Sequence, residues 1–166
     1  PGTDMRISED KVKGYKHFAN KLWNITRFVL DNTSDFDPRA NLVPLEKLSN
    51  EYYGFQFAEL ESLEKVCAEV TTDIEEYRVY MASEKIYHYI WHGFADITIE
   101  NSKKLLAADK ETRWITQYML QNILHTYLKL LHPFMPFITE EIWQSMPTKD
   151  AAFLMVAKWP ITSAVE

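Results

Sequence analysis

The stretch Met5–Leu30, MRISEDKVKGYKHFANKLWNITRFVL, decides how the rest of the chain is read. At about 100° per residue, Val12, Tyr15, Phe18, Ala19, Leu22, Ile25, Thr26 and Val29 fall on one face of a helix. Ser8 suits the N-cap, where its hydroxyl can accept a first-turn N–H, and Glu9 and Asp10 suit the positive end of the helix dipole. The opposite face carries Lys13, His17, Asn20, Lys21, Asn24 and Arg27, together with Phe28, which does not fit a polar face. Two readings of Phe28 stay open. A single exposed Phe is common and can pack beneath a neighbouring loop. Alternatively, a ring among cations and amides matches single-stranded nucleic acid, because bases offer π-faces and phosphates offer charge.

Working outward, 166 residues suffice for one domain with a real core. A hydrophobic fraction of 46% with 25% charged residues is globular, and only 4 Gly disfavours a turn-rich β fold. No apolar run is long enough to span a bilayer, and no secretory signal pattern opens the chain. The single cysteine, Cys67, excludes an internal disulfide and is expected in a core, in a cytosolic protein. The start at Pro1-Gly2-Thr3, without Met, leads us to expect a piece of something larger.

The formal charge of −6 argues against a general nucleic-acid binder. Its distribution softens the objection. Met5–Leu30 holds six basic and two acidic residues, a net +4, which leaves −10 for the remainder. A positive strip on an acidic body fits a selective contact better than nonspecific backbone binding.

Residues 31–55 read as a connector with some short helix, punctuated by Pro38, Pro44 and Gly54. A second helix is expected over Ala58–Tyr77, with Leu60, Leu63, Val66, Cys67, Val70 and Ile74 inward and an acidic, solvated outer face. A break at Glu76–Val79 separates it from a third helix over Tyr80–Leu106. There Ile86, Tyr89, Ile90, Phe94, Ile97 and Ile99 form the apolar set, with Trp91 beside them. Asp96 is expected to bond a tyrosine or backbone group within the bundle. His88 and His92 share a face at metal-binding spacing, but no further ligand is obviously placed to complete a tetrahedron. A fourth helix is expected over Glu111–Leu131. A short fifth helix over Ile138–Trp143 is opened by Pro136, whose missing N–H costs nothing there. The tail, with Pro147, Trp159 and Pro160, reads as an extended segment lying on the body.

No Gly-rich phosphate loop occurs, no nucleophile sits beside a base in a recognisable pattern, and the carboxylates spread over helix surfaces. The residues by themselves give an all-α bundle of about five helices and a binding module without a named ligand.

Three segments go further. Gly14–Leu30, GYKHFANKLWNITRFVL, resembles the opening helix of the anticodon-binding domain of valyl-tRNA synthetase. Ile90–Asp96, IWHGFAD, resembles that domain's central helix, and Leu131–Trp143, LHPFMPFITEEIW, its late helix–turn–helix. They occur in the family's order, and the Asn-Lys-Leu-Trp-Asn run points to valine rather than to the isoleucyl or leucyl relatives. The sequence departs from the family at Ile97-Thr98-Ile99-Glu100 and over residues 50–57. It also lacks the His-Ile-Gly-His and Lys-Met-Ser-Lys-Ser signatures of a class I catalytic domain.

The resemblance implies one non-catalytic domain over residues 1–166, with 145–166 as a tail packed on it. It implies that Lys21, Arg27 and Phe28 meet the anticodon loop of valine tRNA, with Asn20, Asn24 and Trp23 nearby and Lys13, Lys16 and His17 extending the strip. It also implies a cytoplasmic monomeric unit whose other partner is the catalytic domain of the same synthetase. No cofactor is expected in this fragment; ATP with Mg would serve the parent enzyme. The rivals are a helical protein-interaction or structural module, and a metal hydrolase using His88 and His92.

Overall fold

The computed structural model describes residues 8–40, 42–44, 47 and 49–160. Among them there are helices and no strands. Helix α1 spans Glu9–Asn32 and α2 spans Asn50–Glu75. Helix α3, Val79–His88, runs through a π-helical stretch, Tyr89–Thr98, into α4, Ile99–Leu105, as one continuous rod. Helices α5, Lys110–Leu131, and α6, Pro136–Ser145, follow. Single 3-10 turns lie at Pro38–Ala40 and Leu154–Val156. Five helical rods are thus described, and the all-α bundle read from the sequence is the fold. The predicted start of the first helix at Met5–Ile7 lies outside the described residues, and so do the last six residues of the tail.

Helix α5 is the centre and packs on α1, α2, α3, α4 and α6. Ile115, Met119, Leu120, Ile123, Leu124, Tyr127 and Leu128 on it are fully buried. Asp109 caps it, its carboxylate accepting the Glu111 and Thr112 N–H groups at 3.0 Å. Those bonds hold the Asp109 carboxyl below its ordinary range. From α1, Phe18, Leu22, Ile25, Thr26 and Val29 enter the core as the periodicity requires. Val12 and Tyr15, expected on the same face, are exposed, at 55% and 65%.

The connector after α1 is fastened to α5. The Trp114 indole N–H donates to the Asp37 carbonyl at 2.9 Å. Arg113 pairs with Asp35 at 3.0 Å, and the Gln117 amide donates to the Asn32 carbonyl and to Asp35. Helix α2 begins at Asn50, eight residues before the expected Ala58, and kinks at Tyr53. Packing overrides the Gly54 signal there: Gln56 is buried and donates to the Thr116 hydroxyl at 2.9 Å, while Tyr53 packs with Val43 and Trp114.

Helix α2 ends at the predicted break. The Arg78 N–H reaches back to the Asp73 carbonyl and the Tyr77 N–H to the Ile74 carbonyl, a Schellman closure with Tyr77 at φ 59° in the position glycine usually takes. In the third rod, Ile97 is 53% exposed, against expectation, and Thr98 is buried instead. Buried residues recur there at four-residue steps: Ile86, Ile90, Phe94, Thr98, Ser102 and Leu106. On an α-helix such a row drifts about 40° per step. The wider i→i+5 turns rotate less per residue and bring the row back to the core. Thr98 is satisfied there by donating to Glu59 on α2 at 2.6 Å.

Helix α6 is longer than predicted and opens on Pro136 at its first position. Beyond it, the Trp143 indole donates to the Ala151 carbonyl, Trp159 donates to the Thr71 hydroxyl, and the Cys67 thiol meets the Pro160 carbonyl at 3.1 Å. Cys67 is buried, and burial raises its thiol pKa.

Asp73 clamps the α2–α3 corner. Its side chain is almost fully buried; Lys85 lies at 2.7 Å and Arg78 at 2.8 Å. The Lys85 hydrogen bond is the main cause that holds its carboxyl below the ordinary 3.8. The folded state therefore binds this proton less readily than the unfolded chain. The stabilisation is complete above the unfolded value and fades as pH falls through it toward the lower folded value. Asp73→Asn should lower the thermal midpoint at pH 7 and do so progressively less below pH ~4. Melting curves of both proteins across that range check it; a deficit that does not shrink in acid would assign the effect to packing.

Candidate nucleic-acid interface

The candidate strip lies along the outer side of α1. Lys13, Lys16, His17, Asn20, Asn24 and Arg27 are exposed, as the helical periodicity requires, and Trp23 is 41% exposed. Lys21 and Phe28 are different. Seven residues apart, they project from nearly the same side of α1, on its flank rather than its crest.

Lys21 is held by two contacts from the third rod. Its ammonium lies 2.6 Å from Asp96 Oδ1 and 4.3 Å from the centre of the Trp91 ring. A cation over an indole face is attracted by the ring's negative quadrupole. Trp91 is in turn fixed by Phe18 and Tyr87, whose ring centres lie 6.0 and 5.7 Å from it, both nearly parallel to it. Asp96 also faces the His92 ring at 3.8 Å. Among the described residues Asp96 thus bonds no tyrosine or backbone group; it is half-exposed and serves the side chain of a different helix. Periodicity hid this. On an α-helix Trp91 and Asp96 would be about 140° apart, but the π turn brings residues five apart to one side.

Phe28 is partly buried and packs against the main core. The residue is therefore anchored on the core while part of it reaches solvent. On the other flank of α1, Trp23, Asn24, Arg27, Leu30 and Asp31 face Ser145 of α6 across a groove of about 410 Å³. The strip thus comprises a crest of amides and cations, a flank built on Trp91, and a flank that opens as a groove.

His88 and His92 lie with ring centres 5.4 Å apart, at the surface. Among the described residues no group of three or more His, Cys, Asp or Glu is placed to hold a metal ion.

A family model of the anticodon-binding domain of tRNA ligase matches residues 59–166. The chain belongs to this family. Valine–tRNA ligase of Thermotoga maritima is 41% identical over 159 residues, which is 96% of this chain and 17% of that ligase. That of Pseudothermotoga lettingae is 38% identical over 159 residues, again 96% and 17%. That of Syntrophotalea carbinolica is 39% identical over 170 residues, 96% and 18%. The chain thus spans less than a fifth of the length of these curated relatives, and its match lies on a non-catalytic part of a ligase. The family model begins at Glu59 and leaves out α1, whereas alignments that cover 96% of the chain take in nearly all of it.

For an anticodon-binding domain the Lys21–Asp96 pair has a consequence. A phosphate approaching Lys21 must share it with a carboxylate. Asp96→Asn removes the competitor, and an exposed pair of this kind is worth about 0.2–1 kcal/mol. RNA affinity at low salt should rise, by no more than about fivefold, and the gain should vanish at high salt. Binding curves at two ionic strengths check this; weaker binding by the variant would show that Asp96 holds Lys21 in its productive position.

Proposed function

We propose that this chain is the anticodon-binding domain of a valine–tRNA ligase and that α1 meets the anticodon loop of valine tRNA. The observation that carries the reading is the composition of one side of α1: a partly anchored ring, Phe28, two turns along from a cation seated on an indole, Lys21, with exposed Asn20, Asn24 and Arg27 along the crest. The relatives named above supply the amino acid, since each is a valine–tRNA ligase.

In this reading the exposed part of Phe28 stacks on an unpaired base, and its buried part keeps the ring from rotating away. Fixing the ring beforehand lowers the ordering cost of binding. Asn20 and Asn24 read base edges, because an amide offers both a donor and an acceptor. Lys21 and Arg27 hold phosphates or a base edge, and Lys13, Lys16 and His17 continue the strip along the stem. Trp23 borders the groove beside Asn24 and Arg27. The contact would position the distant acceptor end at the catalytic domain of the same ligase, so remote binding energy orients the reacting groups. ATP and magnesium would act in that catalytic domain, in the cytoplasm. We treat residues 1–166 as one monomeric domain with 145–166 as its tail.

Fluorescence anisotropy against a valine anticodon stem-loop, with a loop of altered anticodon bases as control, tests the reading. Phe28→Ala should weaken binding to the valine loop by about 1–3 kcal/mol, the worth of one base stack. Circular dichroism melting should show a folded variant with a lower midpoint, because the ring is partly buried. Equal binding to both loops by the unaltered domain would overturn base reading, and an unfolded variant would remove Phe28 from the site.

A further inference from the structure

Asp31 and Ser145 border the groove beside α1, and two residues further along each segment Thr33 and Pro147 line a separate cleft of about 550 Å³ past the end of the helix. This cleft lies between the end of α1, the middle of α5 and the turn at 147–150. Its size falls in the roughly 300–1,000 Å³ range of pockets that hold small ligands.

One wall is aromatic. Phe36 packs 5.6 Å from Trp114, and Tyr118 stacks on the other ring of that pair at 5.9 Å and 12°. Asn122 and His125 lie on α5, three residues apart and so on one side of the helix. Asn122 donates its amide N–H to the Tyr118 carbonyl, so its own oxygen remains available as an acceptor. His125 rests edge-on against Trp143 at 5.3 Å. Burial first, and Lys129 second, hold its pKa below the ordinary value, so the ring is neutral at pH 7 and offers one donor and one acceptor. At the rim Lys129 is paired with Asp150 at 2.6 Å. Among the described residues Lys149 has no carboxylate within 4 Å and donates to neutral oxygens of Gln144, at 3.2 and 3.4 Å. A cation thus stands beside the Lys129–Asp150 pair at the mouth of a cleft with a stacking wall and base-edge partners.

The geometry points to a subsite for one nucleotide of single-stranded RNA, its base against Phe36 and Tyr118, its edge at Asn122 and His125, and its phosphate at Lys149. The inference rests on the RNA reading for the source of the strand, which would pass from the α1 groove into this cleft. It adds a second reading position away from Phe28 and Lys21.

The test is an NMR titration of the whole chain, following the ring protons of His125, with the four nucleoside 5′-monophosphates as probes and inorganic phosphate as control. Saturable shifts with the nucleotides and none with phosphate are expected. Lys149→Glu, an exposed change, should weaken the apparent affinity by about fivefold. Asn122→Leu should erase differences among the four nucleotides. Equal shifts with inorganic phosphate would reduce the cleft to an anion contact and overturn the inference. So would a His125 ring that stays unmoved while a bound stem-loop shifts residues of α1. Nucleotide shifts at His125 in a domain that ignores the anticodon bases would support the cleft and sink only the α1 reading.

Discussion

A polar group buried on a helix packed on nearly every side is costly to leave without a partner, and two of those on α5, Thr116 and Gln117, find theirs in other parts of the chain. Leaving such a group without a partner costs about 1–3 kcal/mol. The structure resolves this by bringing other parts of the chain to α5. Thr116 receives the Gln56 amide and starts α2 early. Gln117 takes the last carbonyl of α1 and the Asp35 carboxylate, which fixes the end of α1 and the first residues of the connector. Arg113 and Trp114 reinforce the same grip from the turn above. The end of α1, where both Phe28 and the second cleft lie, is therefore held in place by hydrogen bonds to the central helix. They add to the core packing of Leu22, Ile25 and Val29 in fixing where the candidate interface ends.

The helices themselves were legible in sequence because their apolar periods are long and their stops are strong. Pro136 at the start of α6, the Glu76–Arg78 turn and the apolar face of α5 all read directly. What was not legible depended on partners far along the chain. The early start of α2 turns on Gln56 finding Thr116, sixty residues away, and local propensity cannot see that. Val12 and Tyr15 continue the apolar period of α1 but stand exposed in the described structure, so the period gave the direction of a face and not how far the cover extends along it.

The candidate site divides in the same way. The exposed cations and amides of α1 followed from periodicity, since a solvated face needs only the angle. Phe28 could not be resolved, because a ring on the boundary of a face is neither core nor surface until its neighbour is known. The Lys21–Trp91–Asp96 arrangement was out of reach for a sharper reason. It requires the third rod to be π-helical, and assuming α-helix turns Asp96 away from Trp91. The exposed Ile97 is the visible residue of that error, an apolar side chain displaced from the core when Thr98 took the inward position.

The charge of this face now has a different meaning from the one composition suggested. A strip of net +4 on a body of −10 invites an electrostatic account of binding, with affinity from displaced counterions. Lys21, however, already has a carboxylate at 2.6 Å, so part of its charge is balanced within the domain. An RNA that docks here gains less from counterion release than the basic count implies. The acidic body also repels the backbone wherever the strip ends. Binding on this surface must then draw more on stacking and amide contacts, whose strength depends on unpaired bases held at fixed positions. Under the proposed anticodon reading, such a domain would discriminate against duplex and misplaced loops through its electrostatics, and would choose among loops through its amides.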